Sequence, residues 1–187
     1  TLLEHESLKD KEIIIYNLAH DWTEGRRNVS YVTGDLRDIT FRDGAIDVVV
    51  CISTLEHVGL DNTLLYTPEQ RYRENRPSDY KIVLREFRRV LRGGGRLQVT
   101  VPFGKAANLG WLQQFDRHGI EQIIREFNGT VLDVSYFKYE SSGWMRSTAG
   151  ECAECKYFDI HAEGEFDADY AAAARAVACI ELLKPGR

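Results

Sequence analysis

A chain of 187 residues is long enough for one domain with a full hydrophobic core, and 43% hydrophobic with 28% charged residues is an ordinary globular balance. No apolar run approaches the ~20 residues a membrane-crossing helix needs, and the start, TLLEHESLKD, lacks the basic-then-apolar order of a signal peptide, so no membrane partner and a cytoplasmic location are expected. A formal charge of −5 argues against wrapping a nucleic-acid backbone, so no nucleic-acid partner is expected either.

After a short helical start, KEIIIYN (11–17) is rich in β-branched residues and reads as a strand. NVSYVTGD (28–35) is a second strand ending at Gly34 and Asp35. AIDVVVCIS (45–53) is a continuous apolar strand, and GRLQVTVPFG (95–104) is another, closed by Pro102 and Gly104. Continuous apolar strands imply burial on both faces, which favours a parallel sheet covered by helices. Between these two strands, Tyr80, Val83, Leu84, Phe87, Val90 and Leu91 recur at helical spacing, with Ser78 as the expected N-cap and Gly93 to Gly95 as the expected stop. A second helix is predicted over about 116–127, capped by Asp116, striped by Ile120, Ile123, Ile124 and Phe127, and ended by Asn128-Gly129. TVLDVSYFKY (130–139) and AVACIELLK (176–184) are read as the last two strands, an antiparallel tail on an α/β pattern. With no linker in view, residues 1–187 form a single domain.

Ligands in a parallel α/β sheet bind beyond the carboxyl ends of the strands. Asn17, Asp35 and the cluster Ser53, Thr54, Glu56 and His57 all fall at such ends, so three successive strands deliver hydrogen-bonding groups to one rim. The polar and aromatic segment 60–79 between the third strand and the first helix reads as an inserted loop or lid. Its Tyr72 and Arg73, with Arg71 and Arg76 nearby, could clamp an anionic or sugar-like substrate over the rim, and Trp111 is a candidate for the substrate wall. Cys51 and Cys179 read as small buried hydrophobes, and a disulfide framework is not expected. Cys152 and Cys155 have metal-like spacing, but a zinc site needs four ligands and only one such pair exists, so no metal is assigned.

The run YVTGDLRDITFRDGAIDVVVCISTLEHVG, followed by VLREFRRVLRGGGRLQVTVPFG, resembles the class I S-adenosylmethionine-dependent methyltransferases, in particular the type 11-like branch. The elements that carry the resemblance are Gly-Asp after a strand, the Ala-Ile-Asp-Val-Val strand start, Leu-Glu-His at 55–57, and a helix, three glycines and a strand in succession. The resemblance implies a Rossmann-like α/β fold, a mostly parallel sheet with an antiparallel C-terminal strand. It implies S-adenosylmethionine as cofactor and methyl transfer to a small molecule or a glycan precursor. By position it makes Asp35 the acceptor for the adenine amino group, Leu36 a backbone donor to the ring, and Ile52 and Ser53 the floor under the methionine portion. Asn17 stands where the family has an acid gripping the ribose hydroxyls. His57 becomes the candidate general base.

The family's first strand and its glycine-rich loop have no counterpart before KEIIIYN. That strand lies mid-sheet in the family, so the domain is expected to be incomplete at its N-terminal side. A fold kept as a non-catalytic binding or scaffold protein is the alternative that this departure and Asn17 together suggest.

Overall fold

In the computed structural model, which describes residues 2–19, 28–165 and 173–186, the chain starts with two short 3-10 turns and then forms β1 (Ile13–Asn17) and β2 (Val29–Thr33). These two pair in parallel, Ile13 opposite Val29 through Asn17 opposite Thr33. β3 (Ile46–Ile52) leads through the 60–79 segment to α1 (Tyr80–Val90), and β4 (Leu91–Pro102) follows directly. Two residue pairs, β5 (Ala107–Asn108) and β6 (Gln113–Gln114), form a small antiparallel arm before α2 (Arg117–Phe127). β7 (Thr130–Glu140) and β8 (Gly143–Ser147) make a hairpin. The short helices α3 (Ala149–Cys152) and α4 (Ile160–Glu163) come next, and β9 (Ala176–Leu183) completes the order.

The strands form a five-stranded sheet in the order β3-β4-β9-β7-β8 and the separate parallel pair β1-β2. β3 and β4 are parallel, and β9 enters antiparallel between β4 and β7. The α/β Rossmann-like architecture with an antiparallel C-terminal strand is therefore as the sequence indicated. One open edge of β3 and one of β1 carry no strand partner among the described residues.

The core lies on one side of the five-stranded sheet. Tyr80, Val83, Leu84, Phe87 and Val90 of α1 and Ile120, Ile123 and Phe127 of α2 pack onto Leu97, Val99 and Val101 of β4 and Ala178, Ile180 and Leu182 of β9. The opposite face is bare where β3 crosses it: Val48, Val50 and Ile52 are about half exposed (48%, 51% and 49%). This corrects the expectation of burial on both faces. An apolar run records what a strand can bury, not what is there to cover it.

Local chemistry explains the boundaries. Asp116 accepts from the Gly119 N–H and opens α2, while Asn128 ends it in the left-handed region at φ 53°. α1 departs from the sequence reading at both ends. Its N-cap is Asp79, not Ser78, and the Asp79 carboxylate makes no cap bond because two arginines occupy it. The helix stops at Val90, before the glycines. The β3–β4 register jumps from Ile46 opposite Leu91 to Val48 opposite Arg96, so the residues between bulge from the strand, and glycine permits that excursion.

Candidate functional site

β1, β2 and β3 bring their carboxyl ends to one cavity of about 390 Å³. Tyr16 and Asn17 end β1, Gly34, Asp35 and Leu36 follow β2, and Thr54, His57 and Val58 follow β3. The 60–79 segment supplies Asn62, Leu65, Tyr66 and Tyr72 to the far side. β3 is forced to stop here. Ser53 has φ 45°, left-handed geometry that no strand continues through, and its N–H is held by the Thr100 carbonyl (3.3 Å) and hydroxyl (3.1 Å).

Two features of the β1–β2 end fit a bound nucleoside. The Tyr16 hydroxyl is buried and has no partner among the described residues. A Cβ at Gly34 would sit 2.3 Å from that hydroxyl and 2.8 Å from the ring carbon bearing it, so the backbone there passes as close as only glycine allows. The Asn17 side chain can both donate and accept. Burial raises the Asp35 carboxyl pKa, but the Arg37 hydrogen bonds and charge outweigh it, and the net position is below the usual value. Asp35 is already engaged: Oδ1 accepts the Arg37 backbone N–H (2.9 Å) and Nε (3.0 Å), and Oδ2 accepts a terminal guanidinium N–H (2.6 Å). At most one of its roughly four acceptor positions is left for a ligand.

His57 is 7% exposed, and its Nδ1 lies 2.9 Å from the Trp111 carbonyl oxygen. A carbonyl only accepts, so Nδ1 carries the proton and neutral His57 keeps its lone pair on Nε2. Burial lowers its pKa, against a smaller opposite effect of that hydrogen bond. The ring is stacked on Trp111 at 5.6 Å and meets Tyr66 edge-on at 5.4 Å. Trp111 in turn is held by its Nε1–H to Asp159 (3.2 Å) and by edge contacts from Tyr157 and His161. Behind the rim, Glu56 is 2% exposed with one carboxyl oxygen unpartnered among the described residues. Burial pushes its pKa up to about 8, only partly countered by its own backbone N–H and by Ser53.

Among the residues proposed from sequence, Asn17, Asp35, Leu36, His57 and Tyr72 line the one cavity. Ile52 does not: its side chain is half exposed. Ser53 sits at the strand end, but Thr54 supplies the lining there. Arg73 points to a different depression and pairs with Asp61 at 3.5 Å, drawn there by a carboxylate of its own segment. Arg71 likewise pairs with Glu69, and Arg76 with Glu74 and Asp79, so the three arginines do not converge as a clamp. Trp111 does not line the cavity: its ring is buried in a stack on His57, and its carbonyl holds His57 Nδ1. The sequence reading missed Tyr16, Gly34, Arg37 and Asn62. Tyr16 and Gly34 could have been found from their places beside Asn17 and Asp35, whereas Arg37 depends on partners from a distant segment and Asn62 on its loop folding back onto the His57 carbonyl. Cys152 is fully buried, and no cluster of three or more metal-ligating side chains occurs among the described residues.

A rim cavity at the carboxyl ends of parallel strands, with an acid, an amide and a histidine around it, defines a Rossmann-like ligand-binding protein. Residues 12–99, somewhat under half of the chain, match the family model of the methyltransferase domain, and the α/β Rossmann-like fold is one shared with methyltransferases of known structure. Solved structures agree on the fold. The Burkholderia thailandensis 1,6-didemethyltoxoflavin-N1-methyltransferase, seen with 1,6-didemethyltoxoflavin and S-adenosylhomocysteine, superposes with a TM-score of 0.54 at 14% identity, over 93% of this chain and 61% of its own. A Bacillus halodurans protein classed as a methyltransferase gives 0.56 at 13% identity, over 94% and 84%. The N-methyltransferase NodS of Bradyrhizobium japonicum, bound to S-adenosylhomocysteine, gives 0.50 at 11% identity, over 96% and 71%. This chain thus spans less than two thirds of the first of these. No curated protein matches the sequence.

Proposed function

We propose that the protein transfers a methyl group from S-adenosylmethionine to a hydroxyl or amine of a small molecule or glycan precursor. The observation that carries this reading is a shared cavity with a nucleoside-compatible end at Tyr16, Asn17, Gly34 and Asp35 and a histidine at the other. Tyr16, Asn17, Asp35 and the Leu36 N–H would hold the adenosine. The cofactor, when bound, supplies an electrophilic sulfonium methyl. His57 Nε2 takes the acceptor's proton as its oxygen or nitrogen becomes methylated, and neutral His57 is available because burial keeps its pKa low. Tyr66, Leu65 and Val58 form the apolar wall at this end, and Asn62 anchors their loop by donating to the carbonyl oxygens of His57 (3.2 Å) and Leu60 (3.0 Å). Among the described residues no free charged side chain lines this end of the cavity, which suits an uncharged acceptor.

The same reading extends to the sheet. An additional parallel strand between the open edges of β1 and β3 would join the two pieces and cover part of Val48, Val50 and Ile52. Isothermal calorimetry with S-adenosylhomocysteine tests the cofactor assignment: saturable binding that Asp35→Asn weakens supports it. No heat and no thermal shift would instead favour the binding or scaffold reading, for which Asn17 in place of an acid and the divided sheet speak.

A further inference from the structure

Arg37 lines the cavity, yet nothing in its surroundings leaves it free to touch a ligand charge. Its guanidinium has five N–H donors in a fixed fork. Nε and one terminal nitrogen face Asp35 (3.0 and 2.6 Å). The other terminal nitrogen donates to Glu74 (2.7 Å) and Asp79 (2.8 Å), and the first also reaches Glu74 (3.2 Å). Every donor therefore has a carboxylate, and the four side chains are 11–29% exposed, so solvent screening is incomplete. Glu74 and Asp79 belong to the stretch between Gly59 and α1 that carries Tyr66 and Tyr72 to the cavity, and neither carboxylate lines that cavity. Their other partner is Arg76, whose backbone closes onto Gly59: the Arg76 N–H donates to the Gly59 carbonyl, and a Cβ at Gly59 would lie 2.2 Å from the Arg76 oxygen.

We propose that Arg37 is a positioning residue that ties the 60–79 segment to Asp35. The orientation of the adenosine-facing carboxylate and the placement of the acceptor-facing wall are thereby set together. The inference rests on the cofactor reading above for its ligand, but the tether itself is a property of the ligand-free protein. Removing Glu74 frees two Arg37 donors and loosens the fork that aims Asp35, although Glu74 itself meets no ligand.

A double-mutant cycle for S-adenosylhomocysteine affinity, read by calorimetry, tests the coupling. Glu74→Gln should weaken binding about 3- to 10-fold in the wild-type background and less than 2-fold in Asp35→Asn, the coupling expected of one shared network. An unchanged affinity, or an equal loss in both backgrounds, overturns the proposal. Hydrogen exchange on the ligand-free protein gives a second arm: Arg37→Gln should speed exchange of the Arg76 and Asp79 amides while α2 stays protected, and Arg37→Lys, which keeps the charge without the fork, should not restore protection. Unchanged exchange in Arg37→Gln refutes the tether. If the wild type binds no S-adenosylhomocysteine, the cofactor reading falls and the exchange comparison alone decides.

Discussion

Glu56→Gln turns the buried carboxyl behind the rim into a measurable slope. The side chain is 2% exposed, one oxygen lacks a partner among the described residues, and burial moves its pKa from 4.5 to about 8. The groups that sense its charge are Cys51, Tyr66 and Tyr157, all neutral near pH 7, and each is itself pushed up by burial first and by Glu56 next. A carboxyl whose folded pKa is raised holds one proton more in the folded state between about pH 4.5 and 8. Its stabilising contribution is full below the unfolded value and is lost as pH rises through the folded one, at about 1.4 kcal/mol per pH unit. Gln has the shape of the neutral acid and does not titrate. From pH 5 to pH 7, wild-type stability should therefore fall by about 3 kcal/mol relative to the variant. His57 acts in the opposite sense: its lowered pKa gives a contribution present above the ordinary histidine value and lost as pH falls through the folded one. That contribution is common to both proteins and cancels in the difference. Urea unfolding at pH 5, 6 and 7 reads the slope directly. A difference constant to within about 0.5 kcal/mol would refute the reasoning, because it would mean that Glu56 is ionised in place.

Three further outcomes are expected. Gly34→Ala should leave the melting temperature within a few degrees but weaken S-adenosylhomocysteine binding at least 10-fold, because the added methyl displaces the Tyr16 ring; unchanged affinity in calorimetry would remove Tyr16 from the site. His57→Gln should retain cofactor affinity and lose about 10²- to 10⁴-fold in methyl-transfer rate. The wild-type rate should fall only as pH drops below the ordinary histidine range, and a variant as active as wild type would end the base assignment. Phe127→Ala, at a fully buried ring beneath α1 and β9, should cost about 3–5 kcal/mol in urea unfolding, and a loss under 1 kcal/mol would mean that the α1–α2 layer is not the core described.

The sequence by itself determined the elements and their chemical ends. Periodicity in 80–91 and 116–127 located both helices, because an amphipathic stripe is a local record of which face is buried. Apolar runs ending in Asn17, Asp35 and Ser53 located the rim, since strand propensity and polar termination are both written in neighbouring residues. Tertiary structure alone decided what those groups meet. Asp35 and Arg37 are two positions apart, but Glu74 and Asp79 arrive from about 40 residues away, and no local signal says that three carboxylates share one fork. The tautomer of His57 depends on a carbonyl 54 residues distant. The split between β1 and β3 and the half-exposed Val48, Val50 and Ile52 follow the same logic: a strand's sequence specifies its two faces, whereas its neighbours are supplied by the rest of the fold.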